Sequence, residues 1–489
     1  MQDFLDSLTN PATEWLNKMN DAIYLWVVIG ALIGAGIYLT VVTRGVQVRH
    51  CGAMFRHLVA SRKGARSGIS SFQAFTMGMA TRIGIGNITG VALAMILGGP
   101  GALLWMWLVA TLGMATAFAE ATLAQLFKST HPDGTFRGGP ATYIFHGIRS
   151  KPMAMTFAAA MAVCMAVVMP MVQSNTIAGT LDHSHGVPTW VTALTLITLT
   201  SLILLGGVRS VAKATEIITP IMAVAYLITA VAVIATNVNA VPSFFVDVIQ
   251  SALGLNEALS GIAGGVLAAI LNGVRRGLFS NEAGMGTNPN AAATATVSHP
   301  VNQGLIQSLG VFFDTMVVCT ATGFIISVSG ILTAGPVTAE DASHLTTTAI
   351  TASLGGWMAV PVSVMIFFFG FSSTLGAYTY ANANVVFMKL GRSWELATRV
   401  SMVASSGLGA ILALRFVWAL MDTAMAVVTV INLIGVIALG SWVKAALADF
   451  EASASRGEQP VFNPATAGLP GPLPTDGWES VENPEQERR

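Results

Sequence analysis

A bilayer-spanning helix needs roughly 20 consecutive apolar residues, and this sequence supplies eleven such stretches with little between them. They run over 22–43, 69–96, 101–128, 152–176, 188–207, 211–236, 259–283, 304–333, 354–388, 397–415 and 419–447. Only 10% of the residues are charged, against about a quarter in a soluble domain. A chain so poor in charge meets lipid over most of its outside. The length of 489 residues would suggest several soluble domains, but the apolar runs predict one all-α polytopic membrane bundle instead.

The rest of the composition removes other classes. Lys and Arg number 24, as do Asp and Glu, so no basic excess points to nucleic acid. Cys51, Cys164 and Cys319 have no paired spacing, which argues against a disulfide framework or a metal knuckle. Asp3, Asp6, Glu14 and Asp21 outweigh Lys18 at the N-terminus, unlike the basic start of a cleavable signal peptide. The segments 237–258 and 334–353 read as loops carrying short surface helices. From 449 to 489, Pro, Gly, Glu and Asp predict a disordered tail.

Loop charge predicts orientation. Arg44, Arg49, Arg56, Arg62, Lys63 and Arg66 crowd the 44–68 loop with no acid, and 129–151, 208–213 and 389–396 are also basic. Asp182, Asp247, Glu257, Glu340 and Asp341 fall on the opposite side. The N-terminus is then outside and the C-terminus is cytoplasmic.

Two spans are built unlike the others. "MATRIGIGNITG" (Met79 to Gly90) and "GVRRGLFSNEAGMGTNPN" (Gly273 to Asn290) interrupt apolar helix with Gly, Asn and charge. Backbone at membrane depth must be satisfied inside the protein or line a wet cavity. A break near the start of each of two five-span units, 69–236 and 259–448, matches the sequence sign of an inverted-repeat transporter. The first motif is no dinucleotide fingerprint: Thr89 stands where the third glycine belongs, and no strand precedes it. Close helix packing would explain Gly84, Gly86 and Gly90 but not Arg82 and Asn87. A broken helix explains all five, because unwinding frees N–H groups for a carboxylate and carbonyls for a cation.

Intramembrane polar groups are functional-site candidates by default. Arg82, Arg275, Arg276, Glu120, Glu282 and Asp314 qualify, with the alternative for each arginine that it pins unwound backbone or pairs with Glu282. Ser372 and Ser373 in "FGFSSTLGAYTY" supply hydroxyl oxygen suited to a hard cation, or bond their own helix one turn back. Gln173 and Asn175 are either helix–helix hydrogen bonds or substrate ligands. All eight histidines lie in loops or at span ends, which argues against a buried histidine relay. "DHSH" (182–185) has no further ligands near it in sequence and reads as loop.

"FQAF…MATRIGIGNITGVALAMILGGPGALLWMWLVATLGMATAFAEATLAQ", "FRGGPATYI", "VQSNTIAG", "RGLFSNEAGMGTNPNAAATA" and "GVFFDTMVVCTATG", spread over roughly residues 20 to 450, resemble the alanine/glycine:cation symporter family of prokaryotes. The resemblance implies a LeuT-type fold of ten core spans in a 5+5 inverted repeat, here preceded by one extra helix within residues 1–43. It implies Na⁺ as coupling ion, with H⁺ the alternative, no organic cofactor, and a small neutral amino acid as substrate. Residue by residue, Gly84, Ile85, Gly86 and Asn87 would hold the substrate carboxylate, with Gln173, Phe279, Ser280, Asn281 and Ala377 around it. The carbonyls of Ala80, Ile83 and Phe369 and the hydroxyls of Ser372 and Ser373 would bind sodium. Two positions depart from the family pattern. Ile85 replaces a frequent Thr, and Ala377 replaces a frequent Trp, so a larger substrate such as glutamine or serine stays open beside alanine and glycine.

The expectation is secondary active uptake by alternating access, with membrane lipid as surroundings and no obligate protein partner. A channel would want a lined pore and oligomeric symmetry. An intramembrane enzyme would need a nucleophile with a base, or metal ligands, at depth, and no buried histidine offers one.

Overall fold

The computed structural model describes residues 2–60, 69–131, 135–205, 207–255 and 265–478. Helices occupy every expected span: α1 (Thr9–Val42), the bent pair α2 (Ser71–Arg82) and α3 (Gly86–Gly98), α4 (Ala102–Leu126) and α5 (Lys151–His185). There follow α6 (Thr189–Leu205), α7 (Gly207–Thr236), the short α8 (Val241–Ala252), α9 (Gly265–Asn281) and the short α10 (Asn288–Ala292). The chain continues through α11 (Pro300–Ala334), α12 (Ala342–Leu354), α13 (Ala359–Phe387), α14 (Arg392–Ile411), α15 (Leu414–Ala438) and α16 (Gly440–Ser455). Residues 259–264, Arg62, Lys63, Arg66 and Glu257 lie outside the described residues.

Among the described residues, seven helices are long and apolar enough to cross a membrane alone, and the α2–α3 pair, bent by 46°, makes an eighth. The other three expected spans are occupied by α6, α9 and α14. α6 and α9 have 17 described residues each. α14 carries Arg392, Glu395 and Arg399.

Burial sorts the spans. The most apolar windows of α4 and α13 are 67% buried, those of α1 and α7 only 28%. α7 turns Ile217, Ile221, Val224, Ile228 and Val231 outward, an apolar face that suits lipid. At the centre, α4 packs on α9 and α11, and α2 and α3 lie against α13 and α9. On the periphery, α14 covers α5 and α6.

Both breaks are built from local backbone chemistry. α2 opens on a capping box, in which Ser70 Oγ accepts from Gln73 N (3.1 Å) and Gln73 Oε1 accepts from Ser70 N (3.0 Å). It ends where Ile83 leaves the helical region (φ −79°, ψ 88°). Gly86–Gly90 then opens α3 as a wide π-helical turn, a form that recurs at functional sites. The second break takes Glu282, Gly284 and Gly286 to φ of 55°, 90° and 81°. Two glycines adopt that region without steric cost. Glu282 adopts it with a side chain.

The C-terminal expectation needs correction. Helix α16 carries the chain to Ser455, and residues 456–478 lie against the body. Phe462 N donates to Ser298 O (2.9 Å), Trp478 Nε1 to Gln125 O (2.9 Å), and Trp478 covers Lys128, whose Nζ is 4.2 Å from the ring centroid. Composition marked the segment as polar, but Phe462 and Trp478 are two buried aromatic anchors. Residues 479–489 lie outside the described residues.

Candidate functional site

The two breaks meet in the middle of the molecule. A Cβ built on Gly86 would lie 2.9 Å from the Phe279 ring and 3.2 Å from Ser280 Cα. Glycine is therefore favoured at position 86 by close contact. Phe279 in turn stacks edge-on against Trp418 (centroids 4.7 Å apart). Gly90 faces the same pair, with Trp418 3.6 Å from its virtual Cβ. An aromatic lid thus closes one side of the α2–α3 break.

On the other side is an oxygen cluster. Ser373 Oγ is 2.9 Å from Ala80 O and 2.9 Å from Phe369 O, and Ser372 Oγ donates to Phe369 O (3.1 Å). One hydroxyl proton cannot serve both carbonyls at once. A virtual Cβ on Gly84 would come within 2.3 Å of Ser373 Oγ, so the break presses directly on the serine. Ile83 is the buried residue at which α2 ends. The structure thus brings Ala80, Phe369, Ser372 and Ser373 together beside the first break.

The other site residues divide. Asn87 Oδ1 accepts from Gly84 N (2.9 Å), and its Nδ2 donates to Asp314 Oδ1 (2.6 Å) and Ser280 Oγ (3.2 Å). Asn87 therefore braces the break internally and ties it to α11, while taking one N–H that a ligand could have used. Ser280 Oγ donates to Asp314 Oδ2 (2.7 Å). Ile85 is fully buried. Gln173 is buried with its Oε1 unpartnered, and its backbone carbonyl lies 3.3 Å from the virtual Cβ of Gly370 on α13. Asn281 Oδ1 accepts from Ala283 N (3.0 Å) and its Nδ2 donates to Thr315 Oγ1 (3.4 Å), bracing the turn that follows α9. Asn175 donates to Gly409 O and Leu412 O on α14 and its end. Ala377 is fully buried, and the neighbouring Tyr378 accepts from Arg399 Nε (2.9 Å) on α14.

The charges are arranged differently from the sequence expectation. Arg276 pairs with Asp422 on α15 (Nη2–Oδ1, 2.6 Å) and lies over Trp418 at 4.4 Å. Arg275 pairs with Asp21 on α1 (2.6 Å). Neither arginine pairs with Glu282, as the sequence had allowed. Arg82 donates to Gln307 O (3.1 Å) and Gln307 Oε1 (3.2 Å), so it braces the break against α11. Glu120 accepts from Gly284 N and Gly286 N (both 3.1 Å) and from Asn432 Nδ2. It thereby supplies the unwound second segment with the hydrogen bonds its lost helix would have made. Asp182 to His185 form the end of helix α5 rather than a loop, and the His183 ring stacks on His344 (3.5 Å). No group of three metal-ligating side chains occurs among the described residues.

Sequence reasoning missed Trp418, Asp422 and Thr346, whose hydroxyl donates to Ile88 O (3.3 Å) in the first break. A signal existed for one of them. Asp422 is a lone acid in an apolar run, and Arg276 required a partner.

Comparisons with known proteins identify the family and the fold. The sodium:alanine symporter family matches residues 9–464. The chain belongs to that family. It is a symporter and not an enzyme, and its family and apolar spans place it in a membrane. The amino-acid carrier protein AlsT of Bacillus subtilis is 39% identical over 479 residues, covering 98% of this chain and 99% of AlsT. The probable sodium/glutamine symporter GlnT of the same organism is 39% identical and covers 91% of each chain. The sodium/proton-dependent alanine carrier protein of Bacillus sp. PS3 is 33% identical, covering 84% of this chain and 95% of its own. Among solved structures, the substrate-bound, outward-open form of a Na⁺-coupled sialic acid symporter superposes with a TM-score of 0.50 at 11% identity. It covers 89% of this chain and 92% of that one. That likeness establishes the LeuT-type fold.

Proposed function

We propose that this protein couples the inward movement of Na⁺ to uptake of a small neutral amino acid, alanine or glycine, by alternating access. In this reading the chain has its N-terminus outside, and residues 69–236 and 259–448 are two inverted repeats. The substrate carboxylate meets the Gly84–Asn87 backbone under Phe279, with Ser280, Gln173 and Ala377 around the rest of the molecule and Asn281 bracing the turn that follows α9. Sodium is held by the carbonyls of Ala80, Ile83 and Phe369 and the hydroxyls of Ser372 and Ser373. The observation that carries the reading is Ser373 Oγ bridging two carbonyls on separate helices, α2 and α13, beside the break. A cation among these oxygens ties a helix that bends to one that does not. Moving one charge inward yields about 2.3 kcal/mol per 100 mV before the concentration gradient is counted.

A second substrate reading has support in two places. GlnT is a probable glutamine symporter, and position 377 of this chain carries Ala, a small side chain where the family often has Trp. Proteoliposomes under an inward Na⁺ gradient decide between them. Alanine and glycine should accumulate, and should do so with Na⁺ and not with K⁺. Glutamine accumulating in their place would move the substrate to the larger class, and no Na⁺-driven uptake of any neutral amino acid would sink the proposal.

Two substitutions test the cation site. Ser373→Ala should raise the Na⁺ concentration for half-maximal uptake at least tenfold, a loss of about 1.4 kcal/mol, with the protein still folded. Gly84→Ala should do the same without removing a sodium ligand, because its Cβ must push Ser373 Oγ off its two carbonyls. Sodium titrations of uptake read both effects, and an unchanged sodium dependence in either variant would count against the site.

A further inference from the structure

We propose a second sodium position, centred on Glu282, on the side of the first break away from Phe279. It deepens the proposed function and rests on it. Glu282 is 1% exposed, in the unwound segment between α9 and α10. Its Oε2 accepts from Thr287 Oγ1 (2.6 Å), Asn288 Nδ2 (3.0 Å) and Thr81 Oγ1 (3.1 Å). Its Oε1 accepts from nothing, and neither does Asn288 Oδ1. Both atoms are fully buried, and they belong to two side chains already joined by a hydrogen bond. A buried acceptor left bare costs about 1–3 kcal/mol, more when it is charged. A cation held against Oε1 satisfies the bare carboxylate oxygen.

Arginine does not perform that role. Arg82 is buried and directs Nη1 to Gln307, while its Nε and Nη2 have no acceptor. Among the described residues, no ion pair joins it to Glu282. The donor set suits a hard monovalent ion. It has one carboxylate, the hydroxyls of Thr81, Thr287 and Tyr380, the Asn288 amide oxygen, and the Gly78 carbonyl, which lies 3.0 Å from Thr81 Oγ1. All are oxygen, the ligand type that hard cations select, and the hydroxyls can rotate to present lone pairs.

The position also lies beside the first cluster. Thr81 follows Ala80 directly in the chain. Ser373 contacts Ala80 while Tyr380, about two turns along α13, contacts Thr81 (3.3 Å). α13 thus presents one face to both clusters. Gly376 between them admits Thr81: a Cβ there would lie 2.7 Å from its methyl group. A sodium ion leaving Ser373 away from the aromatic lid meets the Glu282 carboxylate next.

The test uses the full-length protein. Equilibrium binding of radioactive ²²Na⁺ to detergent-solubilised protein should saturate at two ions per chain. It should fall to one in Glu282→Gln, and also to one in Ser373→Ala. In proteoliposomes the reversal potential of alanine-coupled current should correspond to two Na⁺ per amino acid, and to one in Glu282→Gln. Thr287→Val and Asn288→Ala weaken the same position and keep the test open if Glu282→Gln fails to fold by size exclusion. A wild-type stoichiometry of one overturns the proposal. So does a folded Glu282 variant that still binds two ions, which would leave Glu282 as a distant counter-charge to Arg82. A second coupled ion that follows the pH gradient instead of Na⁺ overturns the sodium assignment. Failure of alanine uptake with two ions still bound would sink the proposed substrate and leave this site standing.

Discussion

Asp422→Ala should destabilise the protein by about 3–5 kcal/mol, the cost of stranding one partner of a buried ion pair. Arg276 and Asp422 have side chains 2% and 5% exposed, and they join α9 to α15 across the outer edge of the aromatic lid. Without the carboxylate, Arg276 keeps only its stacking on Trp418. Trp418 packs on Phe279, and Phe279 packs on Gly86, so loosening the pair should also loosen the lid over the break. Denaturant titration in mixed micelles measures the first effect. Uptake kinetics measure the second, as a rise in the KM for amino acid. Replacing both partners by apolar residues, as in Arg276→Met with Asp422→Leu, should recover most of the stability, since neither charge is then stranded. If Asp422→Ala unfolds at the wild-type denaturant concentration, the pair is not the clamp described here.

Glu120→Ala should be more disruptive still. Its carboxylate serves Gly284 N, Gly286 N and Asn432, and the helix that would have bonded those N–H groups is absent at that point. Each N–H stranded in the interior costs about 1–3 kcal/mol, and the alanine side chain also leaves a void beside the chain. The expected result is loss of monodisperse protein on size exclusion. Glu120→Gln retains one acceptor oxygen and should give a folded but less heat-stable protein. A folded alanine variant with wild-type thermal stability would remove the brace role.

The contrast between these two acids shows where sequence reading runs short. Both breaks were legible, because no apolar helix tolerates Gly, Asn and charge together without a reason. Arg82, Asn87, Glu120, Glu282 and Asp314 near them were legible as candidates. Which of them hold the backbone and which are open to a ligand was not. Glu120, Arg82 and Asn281 turn to unwound backbone or to a neighbouring helix. Glu282 has a bare oxygen. These differences depend on residues far away in the chain, such as Gln307 for Arg82 and Asn432 for Glu120. The arginines of the second break make the same point. Sequence proximity suggested Glu282 as their partner, yet Asp21 and Asp422 reach them from α1 and α15. The C-terminal segment is a smaller case, because two aromatics in a polar stretch are enough to dock it.

The sequence alone determined a membrane bundle, its spans, its two interrupted helices and its family. Those follow from local quantities, namely the length of apolar runs, the placement of Gly and Pro, and the order of motifs. The tertiary structure decided the pairing of charges, the aromatic lid, the bridging hydroxyl of Ser373 and the bare oxygen of Glu282. In a medium without water, every buried polar group must find its partner within the protein. Which partner it finds is set by the packing of helices distant in sequence, and no local pattern records that.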